Sequence, residues 1–485
     1  MAQKNILVMD CGATNVRAVA VNEKGDLLAM HAMPNNTHPD PYMQGGLIWD
    51  VQEIWQKLLL CTAEVLKKVP AKSIAAVTVT TFGVNGAPMD KNGKLLYPVI
   101  SWQCSRTMPI MQNIEKYIDL KKLYRINGLQ PFNFNTINYL VWFKENKPDI
   151  LEKMDYFVFI PSIFIFFLTG EFSTDASMAG TSMLTSLEKR DFSEEILSSI
   201  GMSRNVFPQY IEPGTVVGKI TKAAAALSGL PEGIPVVATG HDTQFAVFGS
   251  GAGVNEPVVS TGTWEVLMVR TAQIQASETL FAKGVTIEFD AVKGLFNPGC
   301  QWVASGVLEW IKKNFFGSEQ GDAIYEKMIS AAEKIPAGSN GVTINPNFFA
   351  DTGYLRGQGA ITGLTLQTTA DEIYRAALEA LSLKLKNSLQ MLEQACAFTS
   401  QSLVIVGGGS KNRLWNQIRA DVLNIPVKII DKKETTVLGA ALFAMAGAGI
   451  YGSAEEARKA INYNATVVNP SANSSTYKAM TNIPM

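Results

Sequence analysis

Short apolar runs and longer amphipathic stretches alternate along the chain. Continuous β-rich runs occupy residues 6–10, 75–80, 236–238, 258–260 and 403–406, and helical periodicity marks residues 51–69, 136–145, 373–394 and 436–448. Runs of the first kind predict buried strands and those of the second predict helices packed by one face. Their alternation predicts an α/β fold with helices covering the sheets. The greasiest stretch, residues 156–168, holds 13 residues and includes Pro161 and Ser162. It is too short to span a bilayer and is read as a buried core helix.

Two of the predicted strands run into similar Gly/Thr turns about 250 residues apart: Asp10-Cys11-Gly12-Ala13-Thr14-Asn15 and Ser260-Thr261-Gly262-Thr263-Trp264. Small residues let a backbone turn tightly and bring its N–H groups and hydroxyls against an anion. One such turn is ordinarily just a hairpin. A pair opening two halves of similar length predicts a duplicated fold that grips a polyphosphate from both sides. The glycine-rich residues 249–253 fall near the midpoint, where an inter-domain junction or a surface loop fits the composition equally. The division adopted is 1–249 and 250–485.

Composition narrows the classes. A chain of 485 residues exceeds one ordinary core. Its 42 basic and 43 acidic residues nearly cancel, so it has no electrostatic footprint for nucleic acid or anionic membrane. The five cysteines (Cys11, Cys61, Cys104, Cys300, Cys396) are scattered, which fits free thiols in a reducing compartment. With three histidines, a histidine-based metal cluster is not expected. The first strand follows Met1 after a few polar residues, without the pattern of a signal peptide, and a cytoplasmic location is expected.

Chemistry-bearing residues gather in four places. Asp10 ends the first strand, where a carboxylate can reach a ligand above a sheet edge, followed by Thr14, Asn15 and Arg17, the last suited to phosphate oxygens; a strand-end Asp capping a hairpin is the plain alternative. Thr239-Gly240-His241-Asp242-Thr243 ends another strand, a rigid place for a general base, although a core histidine and a structural aspartate account for the same residues. Leu403-Val404-Ile405-Val406 runs into Gly407-Gly408-Gly409-Ser410-Lys411-Asn412, a turn on which a flat ligand can lie. It matches neither the dinucleotide fingerprint nor the P-loop. Thr80–Gly86 (residues 80–86) and Ser101-Trp102-Gln103-Cys104-Ser105-Arg106 mix aromatic, amide and guanidinium groups, as carbohydrate sites require.

Taken in order, residues 10–17, 239–243, 260–264 and 407–412 resemble the motifs of the FGGY carbohydrate kinases, and the likeness extends from Ile6 to about Tyr463. Residues 79–87, 240–246, 304–310 and 414–418 look most like members that phosphorylate the ketose L-fuculose at C1. The resemblance implies two actin-like (ribonuclease H-like) domains with a cleft between them, ATP and Mg²⁺ as cofactors, and a small ketose as acceptor. It makes Asp242 the catalytic base and Asp10 and Asp242 the Mg²⁺ carboxylates. Ala13, Thr14, Asn15, Arg17, Thr261, Gly262 and Thr263 would hold phosphates, with Gly408, Gly409 and Asn412 on the adenosine. Gly83, Asn85, Trp102, Arg106, His241, Asp242, Thr243 and Asn297 would face the sugar. A homodimer is the one assembly considered.

Two residues depart from the family pattern: Asn85 replaces an expected Asp, and Tyr139 stands where many relatives carry Lys. Asn85 is compatible with the same sugar or with a shifted preference, which leaves L-rhamnulose, D-ribulose and L-xylulose as alternative acceptors. An actin-like nucleotide-dependent binding protein is the alternative outside enzymes, but it gives Asp242 no task.

Overall fold

The structure, a computed structural model, describes residues 4–317, 322–348, 357–432 and 434–479. The first unit is organised around strands β1 (Asn5–Cys11), β2 (Asn15–Asn22), β3 (Leu27–Pro34), β4 (Ile74–Thr81), β5 (Val216–Lys219) and β6 (Pro235–His241). They form one sheet in the order β3-β2-β1-β4-β6-β5. β1 is a run of buried residues, as expected of a central strand covered on both faces. Its helices include α1 (Val51–Leu66), α2 (Thr136–Asn146), α3 (Ile160–Thr169) and α4 (Asp242–Gly249). Asp50 caps α1, its carboxylate accepting from the backbone N–H groups of Gln52 and Glu53 at 3.0 and 3.1 Å.

In the second unit, β7 (Pro257–Thr261), β8 (Trp264–Val269), β9 (Phe296–Val303), β10 (Leu403–Val406), β11 (Val427–Ile430) and β12 (Ala465–Val468) are six strands of a seven-stranded sheet and lie in the order β9-β8-β7-β10-β11-β12. Both orders begin with an antiparallel meander, continue through two parallel pairings and end on an antiparallel strand. The repetition seen in the Gly/Thr turns is therefore a repetition of topology. α5 (Ala370–Cys396) and α6 (Arg413–Leu423) pack together in this unit. α5 begins with a capping box, Thr369 and Glu372 satisfying each other's backbone N–H groups.

The compact units are not continuous in sequence. The first unit holds Met1–Gly251 but also Gln275–Asn297 and Glu434–Asn462. Hydrogen bonds explain the first return: Ile287 N–H donates to Gly128 O at 2.8 Å, Tyr124 OH to Val285 O at 2.9 Å, and Arg190 to Asp290 O at 2.7 Å. The second return carries α7 (Thr435–Gly447), which lies against β1, β4 and β6 and crosses α4 closely. That crossing depends on two glycines. A Cβ on Gly249 would overlap the carbonyl of Thr435, and one on Gly439 the carbonyl of Phe245.

The stretch 156–168 divides differently from its reading as a single helix. Tyr156–Phe159 is a strand, and the helix α3 starts only at Ile160, with Pro161 in its first turn. Aromatic and β-branched residues favour the strand, and proline suits a helix start because its missing N–H has no intrahelical partner there. No helix of the described residues is long and apolar enough to cross a membrane. Four of the free cysteines are buried and Cys300 is half-buried.

Gly439→Ala should lower stability by about 1–3 kcal/mol, the usual cost of overpacking. Urea denaturation followed by tryptophan fluorescence checks this; an unchanged midpoint would show slack between α4 and α7.

Candidate active site

Parallel strands β1, β4 and β6 place their carboxyl ends on one edge of the first sheet, where α/β folds gather ligands. Asp10 pairs with Thr80 in register and His241 with Thr81, so the ends of β1 and β6 flank the same strand. Asp10 is almost enclosed and accepts from Arg17 Nε at 2.6 Å; Arg17 Nη1 reaches Glu434 at 2.5 Å. Burial raises Asp10 to about 6 despite the guanidinium, with Asp242 and Glu434 adding to the rise. Arg17 is thus held by two carboxylates, a departure from its expected role on phosphate. The turn Gly12–Asn15 is also a true hairpin, closed by Gly12 N–H donating to Asn15 O at 2.9 Å. Ala13 is half-buried, and Thr14 and Asn15 are exposed, with Asn15 Nδ2 donating to Thr14 Oγ1 at 3.3 Å.

Asp242 is the first residue of α4, and its side chain is 30% exposed. Its Oδ1 accepts from Thr243 N–H at 2.7 Å and Thr243 OH at 3.3 Å, and lies 3.4 Å from His241 Nε2. Burial raises its pKa, while His241 and Thr243 act in the opposite direction. His241 Nδ1 lies 3.3 Å from Glu288 Oε2. Burial works against the imidazolium, but Glu288, Asp242 and Asp175 outweigh it and hold His241 above its ordinary value. The ring passes Gly83, where a Cβ would come within 2.9 Å of it. Below the turn, Asp175 Oδ1 accepts from Ser177 OH at 2.5 Å, and Ser177 Oγ accepts from His241 N–H at 3.0 Å.

Several expected sugar ligands are enclosed instead, and those expectations are corrected. Asn85 is fully buried: its Oδ1 accepts from Trp49 Nε1 at 3.0 Å and Trp102 N–H at 3.2 Å, and its Nδ2 donates to Ile100 O at 2.9 Å and Tyr139 OH at 3.1 Å. No polar atom of its side chain is left for a ligand. Asn85 and Tyr139, the two residues expected to depart from the family pattern, are in contact with each other. An amide and a phenol form a neutral pair where an Asp and a Lys would form a buried ion pair. Arg106 is likewise enclosed, donating to Asp40 at 2.6 Å and to Tyr97 OH at 3.3 Å beneath the Trp142 ring. Asn297 is buried and donates to Gln244, which in turn donates to Glu288. Trp102 remains half-buried, edge-on to Phe134 at 6.3 Å.

In the second unit, Gly262, Thr263, Gly408, Gly409 and Asn412 line one cavity of about 520 Å³ with Glu309, Tyr325 and Tyr374. The second Gly/Thr turn repeats the first as a hairpin, Gly262 N–H donating to Trp264 O at 2.9 Å. Thr261 itself is buried, within 3.4 Å of Arg419 Nη2, and Arg419 is paired with Glu265 out of water. Asn412 shapes the wall rather than offering its amide: Oδ1 caps α6 at Trp415 N–H and Nδ2 donates to Tyr374 OH, at 3.0 and 2.9 Å.

Glu288, Gln244, Asp175, Ser177 and Glu434 are the polar residues around the first site that motif reading missed. Asp175 was legible as a helix cap, since an Asp directly before an apolar helical residue is an N-terminal signal. Glu288 and Glu434 carry no local signal.

Family models match both parts of the chain: the N-terminal domain of the FGGY family of carbohydrate kinases over residues 5–249, and its C-terminal domain over residues 258–448. The chain belongs to the FGGY family of carbohydrate kinases, enzymes that use ATP. It is 47% identical to the L-fuculokinase of Haemophilus influenzae over 462 residues, covering 94% of this chain and 97% of that one. It is also 47% identical to the L-fuculokinase of Escherichia coli K12 over 467 residues, covering 96% of each. Among solved structures, xylulose kinase from Rhodospirillum rubrum shares the fold with a TM-score of 0.88 at 21% identity, over 99% of this chain and 97% of that one.

Asn85→Asp alone should destabilise the fold by about 1–3 kcal/mol, because a carboxylate oxygen would then face Ile100 O. Adding Tyr139→Lys should recover part of that loss. A double-mutant cycle in urea reads the coupling, and additive losses would deny the pairing.

Burial raises Asp175 to about 6 from 3.8. The folded state thus keeps this proton to higher pH than the unfolded chain. The resulting stabilisation is fully present below the unfolded value and is lost as pH rises through about 6. Relative to Asp175→Asn, the wild type should lose stability between about pH 4 and about pH 6. Parallel urea titrations test this, and a pH-independent difference would contradict it.

Proposed function

We propose that this chain transfers the γ-phosphoryl group of ATP to the C1 hydroxyl of L-fuculose, giving L-fuculose 1-phosphate and ADP in the cytoplasm. The observation that carries this reading is the 47% identity to two L-fuculokinases along nearly the whole chain. The alternative ketoses lose their main argument, because the Asn85 amide is enclosed and bonded within the chain.

Asp242 is assigned the proton of the attacking hydroxyl. A carboxylate whose pKa is raised by burial is a better base than one in water, and all three contacts on Oδ1 leave Oδ2 to take the proton. A positioned base contributes about 10²–10⁴-fold. Alignment and charge neutralisation supply the remainder, since phosphoryl transfer asks little covalent chemistry of the protein. Trp102, His241, Thr243 and Gly83 are assigned to the sugar. Thr14 and Asn15, with Gly262 and Thr263, are assigned to the phosphates, and the cavity beside Gly408 and Gly409 to the adenosine.

Mg²⁺ fits this donor set as the nucleotide's companion. Among the described residues no three His, Cys, Asp or Glu side chains converge as a metal cage. Asp10 and Asp242 would supply carboxylates, leaving other positions to water and phosphate oxygens, as Mg²⁺ prefers. The ion would neutralise phosphate charge during transfer.

A coupled ADP assay over a ketose panel tests the assignment: L-fuculose with ATP and Mg²⁺ should give the highest kcat/KM, and chelation should abolish turnover. Faster turnover of L-rhamnulose, with none on L-fuculose, would defeat it. Asp242→Asn should lower kcat by about 10²–10⁴-fold with nucleotide binding retained; near wild-type turnover would remove Asp242 from the role of base.

A further inference from the structure

We propose that Glu288 is a positioning residue for the phosphoryl transfer, fixing the imidazole of His241 and through it the carboxylate of Asp242. This rests on the reading of Asp242 as the base. Glu288 lies in none of the motifs singled out in the sequence, and it reaches the site from strand Thr286–Phe289, in the first segment that returns to the first unit.

The imidazole has a carboxylate at each end: Glu288 Oε2 at 3.3 Å from Nδ1 and Asp242 Oδ1 at 3.4 Å from Nε2. Only one ring orientation sets a nitrogen toward each carboxylate. Gly83 flanks the ring so closely that even a methyl group there would meet Cδ2 and Nε2 at 2.9 Å. The backbone beneath is tied by His241 N–H donating to Ser177 Oγ at 3.0 Å. What remains free is rotation of the ring, and the Glu288 carboxylate opposes it through an ion-pair contact rather than a directed hydrogen bond.

Glu288 is itself held. Its Oε2 accepts from Gln244 Nε2, and Gln244 Oε1 accepts from Asn297 Nδ2. Gln244 and Asn297 are fully buried, whereas the Glu288 side chain is 15% exposed. A line of buried amides thus ends on a carboxylate at the edge of the site. Gln244 lies on α4, two residues after Asp242, so the helix that presents the base also holds the group that orients its neighbour. Loss of Glu288 would leave His241 free to turn, and Asp242 Oδ1 would keep only its contacts to Thr243. Misorientation of a reacting group reduces kcat more than substrate affinity.

The test measures kcat, both KM values and thermal midpoints for Glu288→Ala, Glu288→Gln, His241→Asn and the Glu288→Ala/His241→Asn double variant, using L-fuculose and Mg²⁺-ATP. Glu288→Ala should lower kcat about tenfold with KM for ATP unchanged. Glu288→Gln, which keeps an acceptor oxygen, should restore most of that loss. In the His241→Asn background, Glu288→Ala should change kcat less than about twofold, since residues acting through one contact are not additive. If Glu288→Ala does not fold, Glu288→Asp, one methylene shorter, takes its place. The proposal is overturned if removing the carboxylate leaves kcat within about twofold of wild type, if glutamine is as damaging as alanine, or if the tenfold loss persists without His241. Wild-type turnover by Asp242→Asn would instead refute the assignment of the base.

Discussion

The need to keep carboxylates charged and partnered at the end of a buried strand shapes the first unit. Asp10 sits where β1 leaves the core, and burial alone drives it toward the neutral acid. Arg17, facing it across the β1–β2 hairpin, offsets part of that cost and also binds Glu434, 417 positions away in sequence. A chain of opposite charges therefore joins the first hairpin to the start of α7. The same helix crosses α4 at the Gly249–Gly439 contact, so the helix that begins with Asp242 and the pair that steadies Asp10 share one support. Breaking a buried pair by deleting one partner is far costlier than never having it; the elements are thereby bound to a common geometry.

The second unit repeats the topology but answers the same problem differently. Below its Gly/Thr turn, Glu265 and Arg419 form an enclosed ion pair beside Thr261, with Trp302 Nε1 donating to Glu265 at 3.0 Å. Burial raises Glu265 and lowers Arg419, and their mutual attraction opposes both shifts. In the first unit the charged pair stands at the carboxyl edge of the sheet; in the second it lies wholly inside, and the exposed surface is left to Gly262 and Thr263.

Two interior polar side chains of the first unit, Asn85 and Arg106, are held by partners within the chain. Asn85 uses its whole amide on four partners, and Arg106 is enclosed with Asp40 and Tyr97. These groups hold the loops that carry Trp102 without touching solvent. The contact between Asn85 and Tyr139 carries no charge on either side. A buried charge without its partner would be the costly case.

The alternation of strands and helices, the duplicated Gly/Thr turns and the place of Asp242 at a strand end were legible in the sequence. Each is a property of a few adjacent residues: apolar period, turn chemistry, a carboxylate after a β-run. The division of residues 156–168 into strand and helix was missed because a short apolar run has no decisive period. Accessibility was beyond reach. Asn85, Arg106, Asn297 and Asn412 carry the right groups for a ligand, yet folding turns those groups onto other parts of the chain. Glu288 and Glu434 have the reverse history, ordinary acidic residues that returning segments deliver to the site. Local pattern determines which elements form and where a turn can approach an anion. Only the path of the whole chain decides which polar atoms remain free, because each such atom bonds whatever partner the packing brings.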